Sequence, residues 1–382
     1  MLSKYPKILV ISAWYPNSLH EAEGDFIKHQ ARLMYEQGLD IKVFHASMSV
    51  RFLLKGTFTK KVFKKENGLN EYILEMPFWP RNNAWGIKKW ANRYKNEVIK
   101  HCNHYGWPDM IHAHTYLGGY VASLITKEKE TPFIMTLHES HIVSNKVPGY
   151  HKDLLERSLS SAKAVIAVGD KLAKALKKHI NINPIVFPNY IDFNKFNIAK
   201  EKFENFTFVF IGELIPRKRV NILIAAFEQL WQKNENIQLY IIGDGPLLPS
   251  LKKQARRHGS SSMVRFTGRL NQEDVASHLG KCHCLVLPSD TETFGIVLAE
   301  ALASGVPFIS TRSGVTEKWF KNQACLFIGQ TTQELLHSLQ NMMQNHASLN
   351  PTETRRFAKA QFSSEVVIER YKELYLILTG TS

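Results

Sequence analysis

The chain reads as a doubly wound α/β protein with two Rossmann-like domains in tandem. Three observations carry that expectation. Short apolar runs alternate with amphipathic stretches along all 382 residues, the mark of parallel sheets covered by helices on both faces. The length exceeds what one core ordinarily serves and suits two domains. Pro, Asn and Asp gather in INPIVFPNYIDFNKFN, a break between elements midway along the chain.

Taken in order, the first half offers the strands KILVIS, DIKVFHA, EYILEMPF, DMIHAHT, PFIMTLHES and KAVIAVGD. Val, Ile and Phe are frequent in them and suit a pleated, buried surface. FIKHQARLMYEQ and DKLAKALKKH lie between them, with apolar residues at helical spacing and charges on the opposite face. The second half offers FTFVFIGE, IQLYIIGDG, MVRFTGR, CHCLVLPSD, PFISTR and ACLFIG. Residues 1–190 and 191–360 are therefore expected to form two Rossmann-like domains. Residues 361–382 are expected to form a terminal helix that packs back on the first. Ligands in open α/β sheets bind beyond the strand C-terminal ends. Gly24, His114, His138, Gly243 and Glu292 end predicted strands or follow them.

Composition narrows the function classes. Hydrophobic residues at 44% and charged residues at 22% describe an ordinary globular protein. No apolar run approaches the roughly 20 residues of a spanning helix. MLSKYPKILVISAWYP has no signal-peptide profile, its apolar part being a short strand-like run followed by Trp and Pro. The cytoplasm is the expected location. Four cysteines make no disulfide framework. Cys282 and Cys284 read as one face of a buried strand, since a zinc site would want a CxxC pair and a second pair of ligands. The formal charge of +15 is uneven, with 27 Lys and Arg against 16 Asp and Glu in residues 1–190. A basic first half favours an anionic partner such as membrane headgroups, a phosphorylated substrate or nucleic acid. No nucleic-acid recognition module accompanies the charge, so no nucleic-acid partner is expected.

The chemistry concentrates in ETFGIVLAEALASG, residues 292–305. Glu292 precedes a helix expected to begin near residues 294 and 295. Unsatisfied N–H groups and the dipole at a helix start form an anion site, and glycine at 295 lets backbone approach a phosphate. Glu300 lies about 2.2 turns further along, so with Glu292 in the loop both can reach one extended ligand. A capping glutamate followed by a helix-surface glutamate would give the same pattern, and the pair alone leaves both readings open. Upstream, FVFIGELIPRKRVNILIAAFEQL puts Arg217 and Lys218 at a helix start. That is the unfavourable end for cations unless an anion compensates them; solvated surface charge is the other reading.

Together these stretches resemble the retaining glycosyltransferases of family 4, which have the GT-B fold. The resemblance covers nearly the whole chain. It rests on IGELIPRKRVNILIAAF, IIGDGPLL, VRFTGRL and SDTETFGIVLAEALASGVPFIST, and on EGDFIKHQA, IHAHTYLGG, TLHESH and AVGDKLAKAL in the first half. It implies two Rossmann-like domains facing each other across a cleft. The implied activity moves a sugar, with retention, from a UDP- or GDP-linked donor to a glycan or lipid-linked acceptor in cell-envelope polysaccharide synthesis.

The resemblance also implies roles for single residues. Glu300 would hold the ribose hydroxyls and Glu292 the donor sugar. Arg217 and Lys218 would neutralise the diphosphate, helped by the N–H groups of Phe294, Gly295 and Ile296. Gly24 would let first-domain backbone meet the distal phosphate, and His138 would contact the sugar near its anomeric centre. The nucleotide sugar is a co-substrate. No cofactor and no essential metal are implied, because cations and amides can stabilise the leaving phosphate; Asp290 in SDTE is a weak metal-motif look-alike. Of the histidines in IHAHT, His112 is expected to point into the sheet and His114 toward the cleft, with structural and catalytic roles both open.

Two departures from the family pattern stand out. Gly212-Glu213 replaces the frequent Gly-Arg, and Arg219 stands where glycine is common after the lysine. The first supports a second reading, a catalytically weak GT-B binding subunit of a polysaccharide-assembly complex. A GT-B epimerase is a further one. Finally, RFLLKGTFTKKVFKK, residues 51–65, holds six Lys or Arg, no acid and three phenylalanines. PFWPRNNAWGIKKW, residues 77–90, adds Trp79, Trp85 and Trp90 among Arg81, Lys88 and Lys89. Headgroups attract the bases and the interfacial layer favours the aromatics, which predicts peripheral binding to anionic membranes. A solvated basic loop explains the lysines but not the aromatics.

Overall fold

The computed structural model describes residues 5–16, 24–49, 60–66, 68–77, 83–147, 149–234, 236–257, 262–312, 325–329 and 331–380. The chain divides into two compact units. One holds Met1–Val168, Leu172–Phe187 and Ile368–Ser382; the other holds Gly169–Lys171 and Pro188–Val367.

The first unit contains strands β1 (Lys7–Ser12), β2 (Asp40–Ser49), β3 (Lys60–Glu66), β4 (Leu69–Pro77), β5 (Met110–His114), β6 (Phe133–Leu137), β7 (Ala164–Ala167) and β8 (Ile185–Val186). Its helices are α1 (Asp25–Glu36), α2 (Ala84–Tyr105), α3 (Thr115–Lys129), α4 (Ser140–Val143), α5 (Gly149–Ser161) and α6 (Asp170–Ile180), the last from Leu172 onward. The eight strands form one sheet in the order β3-β4-β2-β1-β5-β6-β7-β8. Every pairing is parallel except β3 with β4. Every residue of β5 and β6 is buried, as a parallel sheet covered on both faces requires. Winding runs outward in both directions from β1, so the β1/β5 boundary is the switch point where such sheets take ligands.

Strand β3 is not anticipated by the sequence. KKVFKKE lacks the alternation that marks a half-buried strand, but lysine is tolerated and useful on an edge, where it discourages pairing with other chains. It pairs antiparallel with β4, Phe63 opposite Tyr72. Of the two basic aromatic stretches, residues 51–59 and 78–82 lie outside the described residues.

The second unit contains β9 (Phe206–Ile211), β10 (Ile237–Ile242), β11 (Val264–Gly268), β12 (Cys284–Leu287), β13 (Phe308–Thr311) and β14 (Cys325–Ile328). They form a parallel sheet in the order β11-β10-β9-β12-β13-β14. Its helices are α7 (Val220–Trp231), α8 (Leu248–Arg257), α9 (Gln272–Lys281), α10 (Ile296–Ala303), α11 (Thr332–Asn345) and α12 (Pro351–Phe362), with 3-10 turns at Pro216–Lys218 and His346–Ser348. The switch point falls between β9 and β12, and the loops leaving those strands carry RKR and DTE. Cys282 and Cys284 are buried in the core.

Helix α10, IVLAEALA, buries Leu298, Ala299, Ala301, Leu302 and Ala303. Each leucine contributes on the order of 1.5–3 kcal/mol by leaving water. Arg355 of α12 secures its end, donating to the carbonyls of Ala303, Phe196 and Phe193 and to Asn197 Oδ1. A cation there also suits the negative end of the helix dipole. The last helix, α13 (Ser364–Thr379), supplies the first unit with residues from Ile368 onward. Among the described residues no helix is long and apolar enough to cross a membrane.

Candidate active site

In the second unit the loops after β9 and β12 are sewn together. The Asp290 N–H donates to the Arg217 carbonyl at 2.9 Å, and Arg217 Nη1 donates to the Thr291 carbonyl at 2.5 Å. Lys218 Nζ donates to Glu292 Oε1 at 2.6 Å, with Arg217 Nη1 3.6 Å from the same oxygen. Arg219 Nε lies 3.3 Å from Asp290 Oδ1. Three consecutive cations therefore face two carboxylates across one junction. Two of these cations occupy a 3-10 turn rather than the first turn of α7.

Arg219 separates that turn from α7 in the left-handed conformation, φ 53 and ψ 34. The conformation costs an L-residue roughly 1–2 kcal/mol, which explains why glycine suits the position. Here the ion pair with Asp290 accompanies the strain. Glu213 is exposed and stands outside the junction, which Arg217 completes.

Gly295 caps α10 at φ 74 and ψ 59, a left-handed conformation that favours glycine. A Cβ there would sit 3.0 Å from Leu298 Cδ1. Phe294 turns into the core, its ring 5.8 Å from Phe362, and Ile296 is the first residue of the helix. The start of α10 thus presents backbone rather than side chain, and the first N–H groups of a helix have no partner within it.

Glu300 lies further along α10 and is 7% exposed. Among the described residues none donates a hydrogen bond to its carboxylate. Burial pushes its pKa up to about 7, with the Lys195 ammonium pulling the other way. Lys195 is anchored by Gln272 Oε1 at 2.6 Å and Glu273 Oε1 at 3.2 Å. A buried carboxylate with open acceptor sites suits a ligand bearing hydroxyl donors. Lys195 was not foreseen; a single lysine in a loop rich in Asn and Asp carries no motif.

In the first unit, Gly24 caps α1 at φ 70 and ψ 20. A Cβ there would lie 2.6 Å from the Trp14 carbonyl and 2.8 Å from Tyr15 N, so only glycine lets the turn press onto the loop after β1. Phe26, two residues on, packs against His138 with centroids 4.7 Å apart. The structure thereby brings the Gly24 turn and His138 together.

His138 follows β6 and meets His114, which ends β5, at 3.1 Å between Nε2 and Nδ1. His112 and His114 share one face of β5, their rings stacked at 4.3 Å. The expected split, one inward and one toward a cleft, is not found, because residues two apart on a strand point the same way. His112 is engaged at both nitrogens, by Tyr375 Oη at 2.7 Å and Thr136 Oγ1 at 2.8 Å. Burial holds His112 and His138 well below the usual histidine range and lowers His114 to about 3. All three rings are therefore neutral at pH 7.

Glu139 was also missed, standing beside His138 without a motif of its own. It is buried at the N-terminus of α3, where it accepts from the Tyr116 and His138 N–H groups at 2.8 and 2.9 Å. Burial raises its pKa to about 7 against those hydrogen bonds. Thr115, at φ 67, makes the sharp turn from β5 into α3, and such strain in a β-branched residue costs about 1–3 kcal/mol and clusters at functional sites.

The family description Glycosyltransferase Family 4 matches residues 26–195, and Glycosyl transferases group 1 matches residues 192–360. The putative teichuronic acid biosynthesis glycosyltransferase TuaC of Bacillus subtilis is 30% identical over 359 residues, 87% of this chain and 88% of that one. The O-antigen chain mannosyltransferase C of Escherichia coli is 26% identical, covering 64% and 69%. Among solved structures, the sucrose-phosphate synthase of Thermosynechococcus elongatus superposes with a TM-score of 0.80 at 17% identity, covering 98% of this chain and 100% of that one. HepE of Anabaena in complex with UDP gives a TM-score of 0.76 at 17% identity, covering 96% and 99%. The chain belongs to glycosyltransferase family 4 and has the GT-B fold.

Proposed function

We propose that the protein is a retaining hexosyltransferase using a UDP- or GDP-sugar and extending a glycan or lipid-linked acceptor in envelope polysaccharide assembly, at the cytoplasmic face of the membrane. One observation carries this reading. Arg217 and Lys218 converge on Glu292 beside the glycine-capped start of α10, and the same helix holds a buried carboxylate open to hydroxyl donors. Cations and helix N–H groups suit a diphosphate; the carboxylate suits a ribose diol. The names of relatives agree, since HepE is described with UDP and with UDP-glucose, and TuaC with teichuronic acid.

The chemistry follows from where charge develops. The bond from the anomeric carbon to the phosphate oxygen breaks, and a bond to the acceptor oxygen forms on the same face. The acceptor proton passes to the departing phosphate, so no protein nucleophile is needed. Lys218, Arg217 and the N–H groups of residues 294–296 stabilise that phosphate. Glu292 accepts from a sugar hydroxyl while still holding Lys218, and His138 is a further contact of the donor sugar.

Screening UDP- and GDP-sugars for thermal stabilisation, followed by NMR of the product's anomeric configuration, tests the proposal. A donor at about 100 times its dissociation constant should add about 2.7 kcal/mol. Transfer should survive EDTA. Rate lost to chelator and restored by Mg²⁺ or Mn²⁺ counts against the metal-free mechanism, and stabilisation by none of the donors leaves the binding-subunit reading.

Membrane contact belongs to the same proposal. Phe63 is 55% and Trp85 58% exposed, and Lys89 Nζ lies 4.1 Å over the Trp85 ring. Trp90 is part of the core instead; Trp79 lies outside the described residues. The protein should cosediment with vesicles containing phosphatidylglycerol, less so as salt rises, and not with neutral ones. Equal failure with both, and no effect of changing Lys60, Lys61, Lys64 and Lys65 to serine on acceptor use, would remove the membrane from the account.

A further inference from the structure

His138 is held from three directions, and two of its holders, Glu139 and His114, are themselves held. Its N–H donates to Glu139 Oε2 at 2.9 Å, its Nε2 meets His114 Nδ1 at 3.1 Å, and Phe26 lies against its ring. Glu139 is 1% exposed, and its other oxygen takes the Tyr116 N–H. One carboxylate thereby ties the first turn of α3 to the end of β6. His114 stacks on His112, whose own nitrogens are both engaged.

An N···N contact of this length contains one hydrogen. Its position sets the tautomer of His138, and hence whether Nδ1 donates or accepts toward a ligand. Packing alone does not account for the arrangement. Apolar side chains of similar shape would fill these positions without the cost of burying a carboxyl and several imidazoles. A buried polar network whose members hold one another instead favours one geometry, which is what a side chain touching a reacting sugar needs.

We infer that His114 and Glu139 are positioning residues for His138, His114 selecting its tautomer and Glu139 fixing its backbone; the inference rests on reading His138 as the group that meets the donor sugar. Three variants separate this from a merely structural role. His114→Phe keeps the ring and its stack but removes the nitrogen. His114→Asn returns an amide near the place of Nδ1. Glu139→Gln keeps the shape but can accept through one oxygen only.

His114→Phe and Glu139→Gln should lower kcat about 10–100-fold, the usual scale for a group that orients another, with KM for the donor within about twofold of wild type. His114→Asn should recover most of the loss. In protein labelled with ¹⁵N-histidine, His138 should show a single tautomer in wild type and a mixture in His114→Phe. Both kcat values staying within about twofold of wild type, or an unchanged His138 pattern in His114→Phe, overturns the inference. Should His114→Phe or Glu139→Gln not fold, wild type and His114→Asn decide it: His138 exchanging between tautomers in wild type overturns the inference, and one shared tautomer in both supports it. Full activity of His138→Ala removes the donor-contact reading and leaves the tautomer result standing, so the two failures are distinguishable.

Discussion

Lys218→Ala is expected to slow sugar transfer about 10²–10³-fold, the scale of losing one preorganised charge stabiliser. The ammonium lies 2.6 Å from Glu292 Oε1, an oxygen it shares with Arg217 Nη1 at 3.6 Å. A nucleoside diphosphate brings charge that must grow on the leaving oxygen, and a cation already held in place needs no reorganisation to meet it. The loss should fall mainly on kcat, because charge on that oxygen peaks in the transition state. The fold should tolerate the change, since Arg217 remains 3.6 Å from Glu292. Steady-state kinetics with a thermal melt separates these effects. Full activity in a folded Lys218→Ala protein would refute the diphosphate assignment.

Glu300→Ala should act on the nucleotide instead. Removing a charged acceptor from a buried diol costs roughly 1.5–3 kcal/mol, so donor binding should weaken by about one to two orders of magnitude. Glu292→Ala should act chiefly on turnover. The pH dependence gives an independent sign. Burial lifts the Glu300 pKa to about 7, so the free protein holds a proton there below that pH, and binding a diol through the carboxylate must release it. Affinity for a nucleotide sugar should therefore fall as pH drops below about 7, approaching tenfold per unit, and be flat in Glu300→Ala. Stability runs the other way. The raised pKa contributes stability below the unfolded-state carboxyl pKa, and that contribution is lost as pH rises through about 7. Isothermal titration across pH 5.5–8.5 reads the binding; equal affinity of Glu300→Ala and wild type throughout would end the ribose assignment.

The architecture was legible because burial on both faces of a parallel sheet leaves continuous apolar runs, as in FTFVFI and IQLYII. An edge strand escapes that logic, and KKVFKKE was missed for this reason. The candidate residues Arg217, Lys218, Glu292 and Gly295 drew attention because charge and glycine cluster where two loops leave adjacent strands at a switch point. Contacts between distant segments left no such trace. Lys195 near Glu300, Glu139 on the Tyr116 N–H and the pair Arg219–Asp290 each depend on where separate segments come to rest. His112 and His114 show the opposite case: alternation along a strand already places both rings on one side, a consequence of period two.

Helix α13 changes how the molecule must be made. Tyr371 and Tyr375 are buried in the first unit, and the Tyr375 hydroxyl occupies His112 Nδ1. These residues leave the ribosome after the whole second unit. The first unit, although synthesised first, cannot complete its interior until residues 368–379 arrive, and domains that finish out of order expose unfinished surface meanwhile. An excised fragment ending at residue 187 would carry the same defect permanently, with a buried imidazole short of one partner. Dissecting this enzyme into separately expressed halves therefore requires grafting α13 onto the first half.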